Sequence, residues 1–362
     1  MKTFLLFLVA ASGTVTFAMQ AFGQVAATSS NDLRILPSLY FPDCAETWKV
    51  VDGETAGWNA ALLDELLDWA GDQGSTSVLI LWRGRILAEK HWGKGGGKTS
   101  QRYQRMFVML NEKQQAIEDV ASVQKSVVSI LVGVALHKNL LQLEDVVSKH
   151  VGVGWSKAKP QQETKIKLKH LLSMTSGLTG DLRFQTEAGK RWSYNTASYA
   201  VVRDCLVATS GLSVHDLTKQ WLLDPVGMKE SKWVPRATSI TALNAYGFAS
   251  SARDLARFGL LMQSGGNWAG KKILPNDEYR IASLCSSQRL NPNYGYLWWL
   301  NEPVRIRSAP SDTYAANGAL GRRVFVTPSE GLVVVRLGDE PKNMSTVGFD
   351  REFWRRLMDA KL

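Results

Sequence analysis

The chain has 362 residues, 45% hydrophobic and 21% charged, a composition that suits a folded globular core and excludes a disordered or low-complexity protein. Lys and Arg outnumber Asp and Glu by 43 to 33, a net charge of +10. The basic residues are dispersed, with no aromatic–basic platform. The excess therefore points to anionic partners such as cell-wall polymers or carboxylate substrates, or to a merely solvated surface, and not to nucleic acid. The three cysteines exclude a complete disulfide framework, allow at most one bridge, and are expected to be buried apolar residues.

Lys2 stands ahead of an apolar stretch that reaches Met19, and small residues surround Ala21-Phe22-Gly23. A positive start, an apolar core and a small-residue exit describe a secretory signal peptide over 1–23. The alternative is a retained anchor, although Ser12, Gly13 and Thr14 interrupt a span already near the minimum length for a bilayer. No cysteine follows at which a lipid could attach. The expectation is a periplasmic or secreted protein without a stable membrane anchor. Turn residues such as Ser29, Asn31, Pro37 and Pro42 make 24–49 an irregular leader and leave 50–362 as one domain.

Residues 60–70 space their apolar side chains as an amphipathic helix does. Ser77–Trp82 and Arg85–Trp92 read as a β-hairpin turning at Gly84, and a polar segment follows to about Glu118. Ser122–His137 is apolar nearly all round, the pattern of a fully buried helix. Short helices are expected over 141–150 and 164–174, and further ones over 198–210, 214–223 and 252–262. The last third holds strand candidates at 294–300, 323–327 and 332–337 and a closing helix from about Phe349 to Met358. This order predicts an α+β fold, an antiparallel sheet with flanking helices plus an all-α lobe over about 126–244.

Ser-x-x-Lys occurs at Ser122/Lys125 and at Ser156/Lys159. Ser156 lies in a loop-like segment that fixes no geometry. Ser122 opens the most apolar helix, and positions i and i+3 share a helix face about 5–6 Å apart, so Lys125 can reach its hydroxyl. Desolvation there disfavours the ammonium and would make the lysine a usable base. The helix N-terminus also offers N–H groups to a developing oxyanion. The plainer alternative makes Ser122 a helix cap and Lys125 a solvated residue. Gly93–Thr99 (GKGGGKT) is one residue short of the phosphate-binding P-loop spacing and reads as a solvated loop. The five histidines form neither H-E-x-x-H nor a close ligand pair, so no metal or organic cofactor is implied, and no His stands near these serines for a Ser-His-Asp triad.

Ser122-Val-Gln-Lys-Ser126, the apolar helix behind it and the Leu141–Val146 segment LQLEDV resemble the start of the class C β-lactamase-related, penicillin-recognising serine hydrolases. That family includes D,D-peptidases, esterases and 6-aminohexanoate-oligomer hydrolases. The likeness continues in order through Leu171–Leu178 (LLSMTSGL), Gly189–Thr196 (GKRWSYNT), Asp224–Met228, Ser251–Leu260, Tyr294–Trp299 and Gly318–Pro328. It implies a β-lactamase/transpeptidase-like fold and an acyl-enzyme on Ser122, with Lys125 and Tyr194 as proton carriers. It also implies an oxyanion hole from the N–H groups of Ser122 and Ala319, with Asn195, Asn317 and Gly318 beside the substrate. The implied substrate is a small amide, ester or peptide, cell-wall fragments included.

Two departures from the family pattern stand out. Its Tyr-x-Asn reads Tyr194-Asn195-Thr196 here, the asparagine one position early, as in the 6-aminohexanoate-hydrolase branch. Where the pattern has Lys-Thr-Gly or His-x-Gly, this chain has Ala316-Asn317-Gly318. Loss of that cation favours amidase or esterase chemistry over β-lactam turnover, with Arg322 or Arg323 as electrostatic stand-ins. A β-lactamase or D,D-carboxypeptidase is the alternative enzyme. A catalytically idle cell-wall-binding or penicillin-sensing protein is the alternative of another class.

Overall fold

A computed structural model describes residues 39–43, 47–95, 99–236 and 245–362. The expected signal peptide, most of the leader, Cys44 and the centre of the Gly93–Thr99 loop lie outside these residues. Asn59 accepts the Leu62 N–H and starts α1 (Ala60–Asp72). The hairpin follows as β1 (Ser75–Trp82) and β2 (Arg85–His91). Its turn uses Gly84 at φ +80°, where any Cβ would stand 1.9 Å from the Tyr40 carbonyl oxygen.

The segment read as merely polar holds α2 (Gln101–Met106), β3 (Phe107–Leu110) and β4 (Ala116–Asp119). It carries too many charges for periodicity to show strands, and tertiary pairing overrides the weak local signal. Helix α3 (Val123–His137) is buried at every position from Val123 to Leu136, which explains why its sequence has no polar face. Short helices follow at α4 (Ser148–Val151), α5 (Pro160–Glu163) and α6 (Leu168–Leu172), then the longer α7 (Thr196–Ser210). Helix α8 (Val214–Thr218) runs through a π-helical turn into α9 (Asp224–Val226). Strand β5 (Lys232–Pro235) falls within the stretch expected to be all helical and pairs with β6 (Tyr246–Ser250).

Helix α10 (Ala252–Gln263), a β7 (Asn267–Trp268) and β8 (Lys271–Lys272) ribbon, and α11 (Asp277–Ser283) lead to β9 (Trp299–Leu300). Only those two residues of the expected 294–300 strand are extended in the sheet. Strands β10 (Tyr314–Asn317), β11 (Arg323–Thr327) and β12 (Leu332–Gly338) and helix α12 (Thr346–Asp359) complete the fold.

The main sheet is antiparallel throughout, in the order β2-β1-β12-β11-β10-β9. Both faces are covered, so its strands read as continuous apolar runs although their side chains still alternate. Leu79, Leu81, Val324, Val326, Val333 and Val335 join the core that contains α3 and α10. Val78, Ile80, Phe325, Leu332 and Val334 join the layer formed with α1 and α12. A smaller antiparallel sheet, β3-β4-β6-β5, ends β4 three residues before Ser122. Among the described residues no helix is long and apolar enough to cross a membrane. Cys205 is buried as expected, whereas Cys285 is exposed, because it follows α11 on the surface.

Candidate active site

Strand β4 delivers the chain to a tight turn at Val120-Ala121-Ser122. The Val120 N–H donates to the Phe248 carbonyl at 2.8 Å, and the Ala121 N–H donates to Asp119 Oδ1 at 2.9 Å. Asp119 is itself held by Arg236 through Nε (2.6 Å) and Nη2 (2.9 Å). Ala121 sits at φ +52°, a left-handed conformation that costs a Cβ-bearing residue about 1–2 kcal/mol. The Asp119–Arg236 pair holds the turn in this strained shape.

Ser122 then opens α3 without using its side chain as a cap. Its Oγ instead accepts a hydrogen bond from Lys125 Nζ at 2.9 Å. Lys125 is not the solvated residue of the plainer reading. It is 2% exposed, and its ammonium end lies 4.9 Å from the Tyr194 ring centre and 4.8 Å from that of Tyr199. Burial pulls its pKa down to about 7, helped by the positive charges of Arg236 and Arg203. Tyr194 shares a hydrogen bond with Ser122, and burial of the phenol pushes its pKa up to about 12. The tyrosine thus keeps its proton at neutral pH, while the lysine loses its own far more readily than an exposed lysine does.

This assigns a sign to the pH dependence. If neutral Lys125 acts as the base, kcat/KM should rise with pH through about 7 and level off above it. A pH–rate profile flat from 5 to 9 would contradict this. Because folding must deprotonate Lys125 between pH 7 and its unfolded value, its contribution to stability becomes more unfavourable as pH falls through that window. Lys125→Met should therefore raise Tm at pH 7 while removing activity.

Tyr194 is carried by the segment before α7. The Ser193 N–H donates to the Met174 carbonyl at 2.9 Å, and the Gly189 N–H to that of Thr175 at 2.8 Å. Asn195 does not face a substrate. Its Oδ1 caps α7 by accepting the Ser198 N–H at 3.0 Å, and its Nδ2 donates to the carbonyls of Leu178 and Thr179 at 2.9 Å each. Both amide protons are spent on the fold, so its expected place among the substrate-binding residues does not fit.

On the other side of Ser122 lies the end of β10. Strand β9 pairs only with Tyr314 and Ala315, which leaves the β10 edge at Ala316 and Asn317 outside that pairing. Gly318 packs directly on the Val120–Ser122 turn, where a Cβ would meet the Val120 carbonyl oxygen at 2.4 Å and Val123 Cγ2 at 3.3 Å. Ala319 is the next residue along the chain from this close approach. Among the described residues Asn317 Oδ1 and Gln124 Oε1 have no hydrogen-bond partner, an arrangement that leaves acceptors for a ligand N–H.

Neither Arg322 nor Arg323 replaces the missing cation. Arg322 is fully buried and pairs with Glu118, through Nε at 2.9 Å and Nη2 at 2.8 Å. Arg323 binds both oxygens of buried Asp350 at 3.1 Å and donates to the Gly318 and Arg322 carbonyls. Ala316 is wholly buried, in the same core cluster as the residues of α3.

The family model for beta-lactamases matches residues 60–356. The chain belongs to the beta-lactamase family. An uncharacterized protein of Alkalihalophilus pseudofirmus is 25% identical over 340 residues, covering 84% of this chain and 95% of that one. A Bacillus anthracis structure described as a candidate 6-aminohexanoate-dimer hydrolase superposes with a TM-score of 0.66 at 16% identity, over 90% of this chain and 91% of that one. EstCE1, a hydrolase with promiscuous acyltransferase activity, gives 0.61 at 15% identity, over 82% and 98%. These structures share the beta-lactamase/transpeptidase-like fold.

The other serines marked by sequence are engaged elsewhere. Ser126 Oγ donates to the Leu297 carbonyl at 2.7 Å and fixes the Tyr294–Trp299 segment against α3. Ser156 Oγ donates to Glu163 at 2.7 Å. Ser77, His91 and Glu89 do form a triad-like relay, with Ser77 Oγ to His91 Nδ1 at 2.8 Å and His91 Nε2 to Glu89 at 2.7 Å, but Ser77 is fully buried within β1 and cannot meet a substrate. Among the described residues, no three His, Cys, Asp or Glu side chains are grouped to hold a metal ion.

Sequence reasoning missed an aromatic wall beside Tyr194. Trp299 stacks on Tyr194 at 5.9 Å between ring centres, and Trp192 and Tyr294 meet Trp299 edge-on at 6.1 and 4.9 Å. Trp192 and Trp299 were visible only as members of two separate motifs.

Proposed function

We propose that this family member is an exported serine hydrolase acting on ester or amide bonds through an acyl-enzyme on Ser122. The observation that carries the reading is the 2.9 Å bond between Ser122 Oγ and a buried Lys125, with a tyrosine that stays protonated on the same hydroxyl. Neutral Lys125 takes the Ser122 proton as Oγ attacks the acyl carbonyl. The N–H groups of Ser122 and Ala319 receive the oxyanion. Tyr194 gives its proton to the leaving alkoxide or amine and regains one by way of Lys125. A water molecule, deprotonated by the same pair, then releases the acid and restores Ser122. Asn317 and Gly318 line the strand side of the bound acyl group.

With Ala316 buried and Arg322 and Arg323 locked in ion pairs, the β10 strand offers no cation to a β-lactam carboxylate. Hydrolysis of p-nitrophenyl esters should exceed that of nitrocefin by at least about tenfold in kcat/KM, roughly 1.4 kcal/mol of transition-state binding. Efficient nitrocefin turnover with poor ester turnover would favour a β-lactamase. Absence of both, and of 6-aminohexanoate-dimer hydrolysis, would favour the idle receptor. Export rests on the Lys2–Gly23 pattern, and the N-terminal sequence of protein recovered from periplasm or medium should begin near Gln24.

A further inference from the structure

The aromatic wall ends in a cation. The Arg305 guanidinium lies over the Trp299 ring, 4.9 Å from its centre. Trp299 in turn stacks on Tyr194 at 5.9 Å, and Lys125 Nζ is 4.9 Å from Tyr194. Arg305 therefore stands three such steps from the Lys125 amine. Arg305, Trp299 and Tyr194 are all at least partly open to solvent.

Among the described residues no carboxylate is ion-paired with Arg305. The acid nearest in electrostatic effect, Asp350, is buried and gives both oxygens to Arg323. Partial burial depresses the Arg305 pKa. Asp350 opposes that shift, whereas Arg323 and Arg351 add to it. A desolvated cation facing other cations is relieved by a bound anion. A guanidinium stacked on an aromatic face keeps its N–H edge free for a planar, two-point acceptor.

We infer that Arg305, seated on Trp299, binds a carboxylate at the far end of the acyl chain, so that the preferred substrates are ester or amide derivatives of long dicarboxylic acids or similar carboxylate-tailed acyl groups. This rests on the hydrolase reading above. It also differs from recognition of a β-lactam carboxylate, which lies close to the scissile bond, whereas Arg305 is linked to Lys125 only through Trp299 and Tyr194.

The test compares the mono-p-nitrophenyl ester of suberic acid, an eight-carbon diacid, with its neutral methyl-capped counterpart. In the wild-type protein the charged ester should have the lower KM. In Arg305→Ala the ratio of kcat/KM for charged over neutral ester should fall at least about tenfold, mostly through KM, and Arg305→Lys should recover part of it. High salt should erode the wild-type preference. Calorimetric binding of both esters to Ser122→Ala, and to Ser122→Ala/Arg305→Ala, separates recognition from chemistry. A charge preference in Ser122→Ala that vanishes in the double variant sustains the inference even if wild-type protein turns over neither ester, an outcome that would count against the hydrolase reading alone. Equal binding of the two esters, or an unchanged ratio in Arg305→Ala, overturns it.

Discussion

Ser122→Ala should abolish ester and amide turnover in protein that remains folded. The Ser122 side chain makes no cap bond and packs into no core cluster; its contacts are those to Lys125 and Tyr194. Its loss should therefore leave the stability within about 0.5 kcal/mol of wild type, the ordinary range for a small, partly exposed substitution. The next serines along α3, Ser126 and Ser129, are not free to carry an acyl group, since both donate to carbonyls of the 296–297 turn. Lys125→Ala should cost at least about 10²-fold in rate, the low end for a positioned proton carrier, and Tyr194→Phe a similar amount. If Lys125 and Tyr194 act as one proton-transfer unit, the double variant should be little worse than either single one. Purely additive losses would argue that they serve separate steps.

The second large effect is expected at a pair with no chemical role. Glu118 lies four residues before Ser122 and is fully buried. It accepts hydrogen bonds from Thr76 (2.5 Å) and Tyr103 (3.1 Å) and pairs with Arg322. Arg322 also donates to the Ala319 carbonyl at 3.2 Å. This pair thus ties the strand that leads to Ser122 to the turn at Ala319, the proposed second oxyanion N–H. Removing one partner leaves an uncompensated buried charge, which costs about 3–5 kcal/mol. Arg322→Met should lower stability by that amount, a Tm drop on the order of 10 °C. Activity should fall as well, because Ala319 loses its anchor. Glu118→Leu/Arg322→Met should be more stable than Arg322→Met, since the orphaned carboxylate is gone. A single variant with wild-type Tm and activity would show that the pair is dispensable.

Most of this fold was legible from apolar patterning. The α3 run, the hairpin at Gly84 and strands β11 and β12 are strongly periodic or continuously apolar, so their burial dictates their form. The collinear motifs located Ser122, Lys125 and Tyr194 in the chain, and folding brings the three side chains together. What escaped reading depends on contacts distant in sequence. Strand β4 is polar enough to pass for loop, because Glu118 and Asp119 are charged residues stabilised by Arg322 and Arg236 far along the chain, and the four apolar residues of β3 are too short a run amid charged neighbours to stand out. Asn195 looked like a substrate ligand because it follows Tyr194, and only the path of α7 shows it to be a cap. Arg322 and Arg323 looked available because a sequence cannot show that Glu118 and Asp350 occupy them. Arg305 sits in the connection between β9 and β10 and carries no motif at all.

The central claim is that Ser122 carries the acyl group with Lys125 as its base. Labelling with a fluorophosphonate probe, followed by mass spectrometry of the modified peptide, tests it most directly. The adduct should fall on Ser122, form faster as pH rises through about 7, and disappear in Ser122→Ala. An adduct on Ser126 or Ser156, or labelling that survives Ser122→Ala in folded protein, would contradict the account.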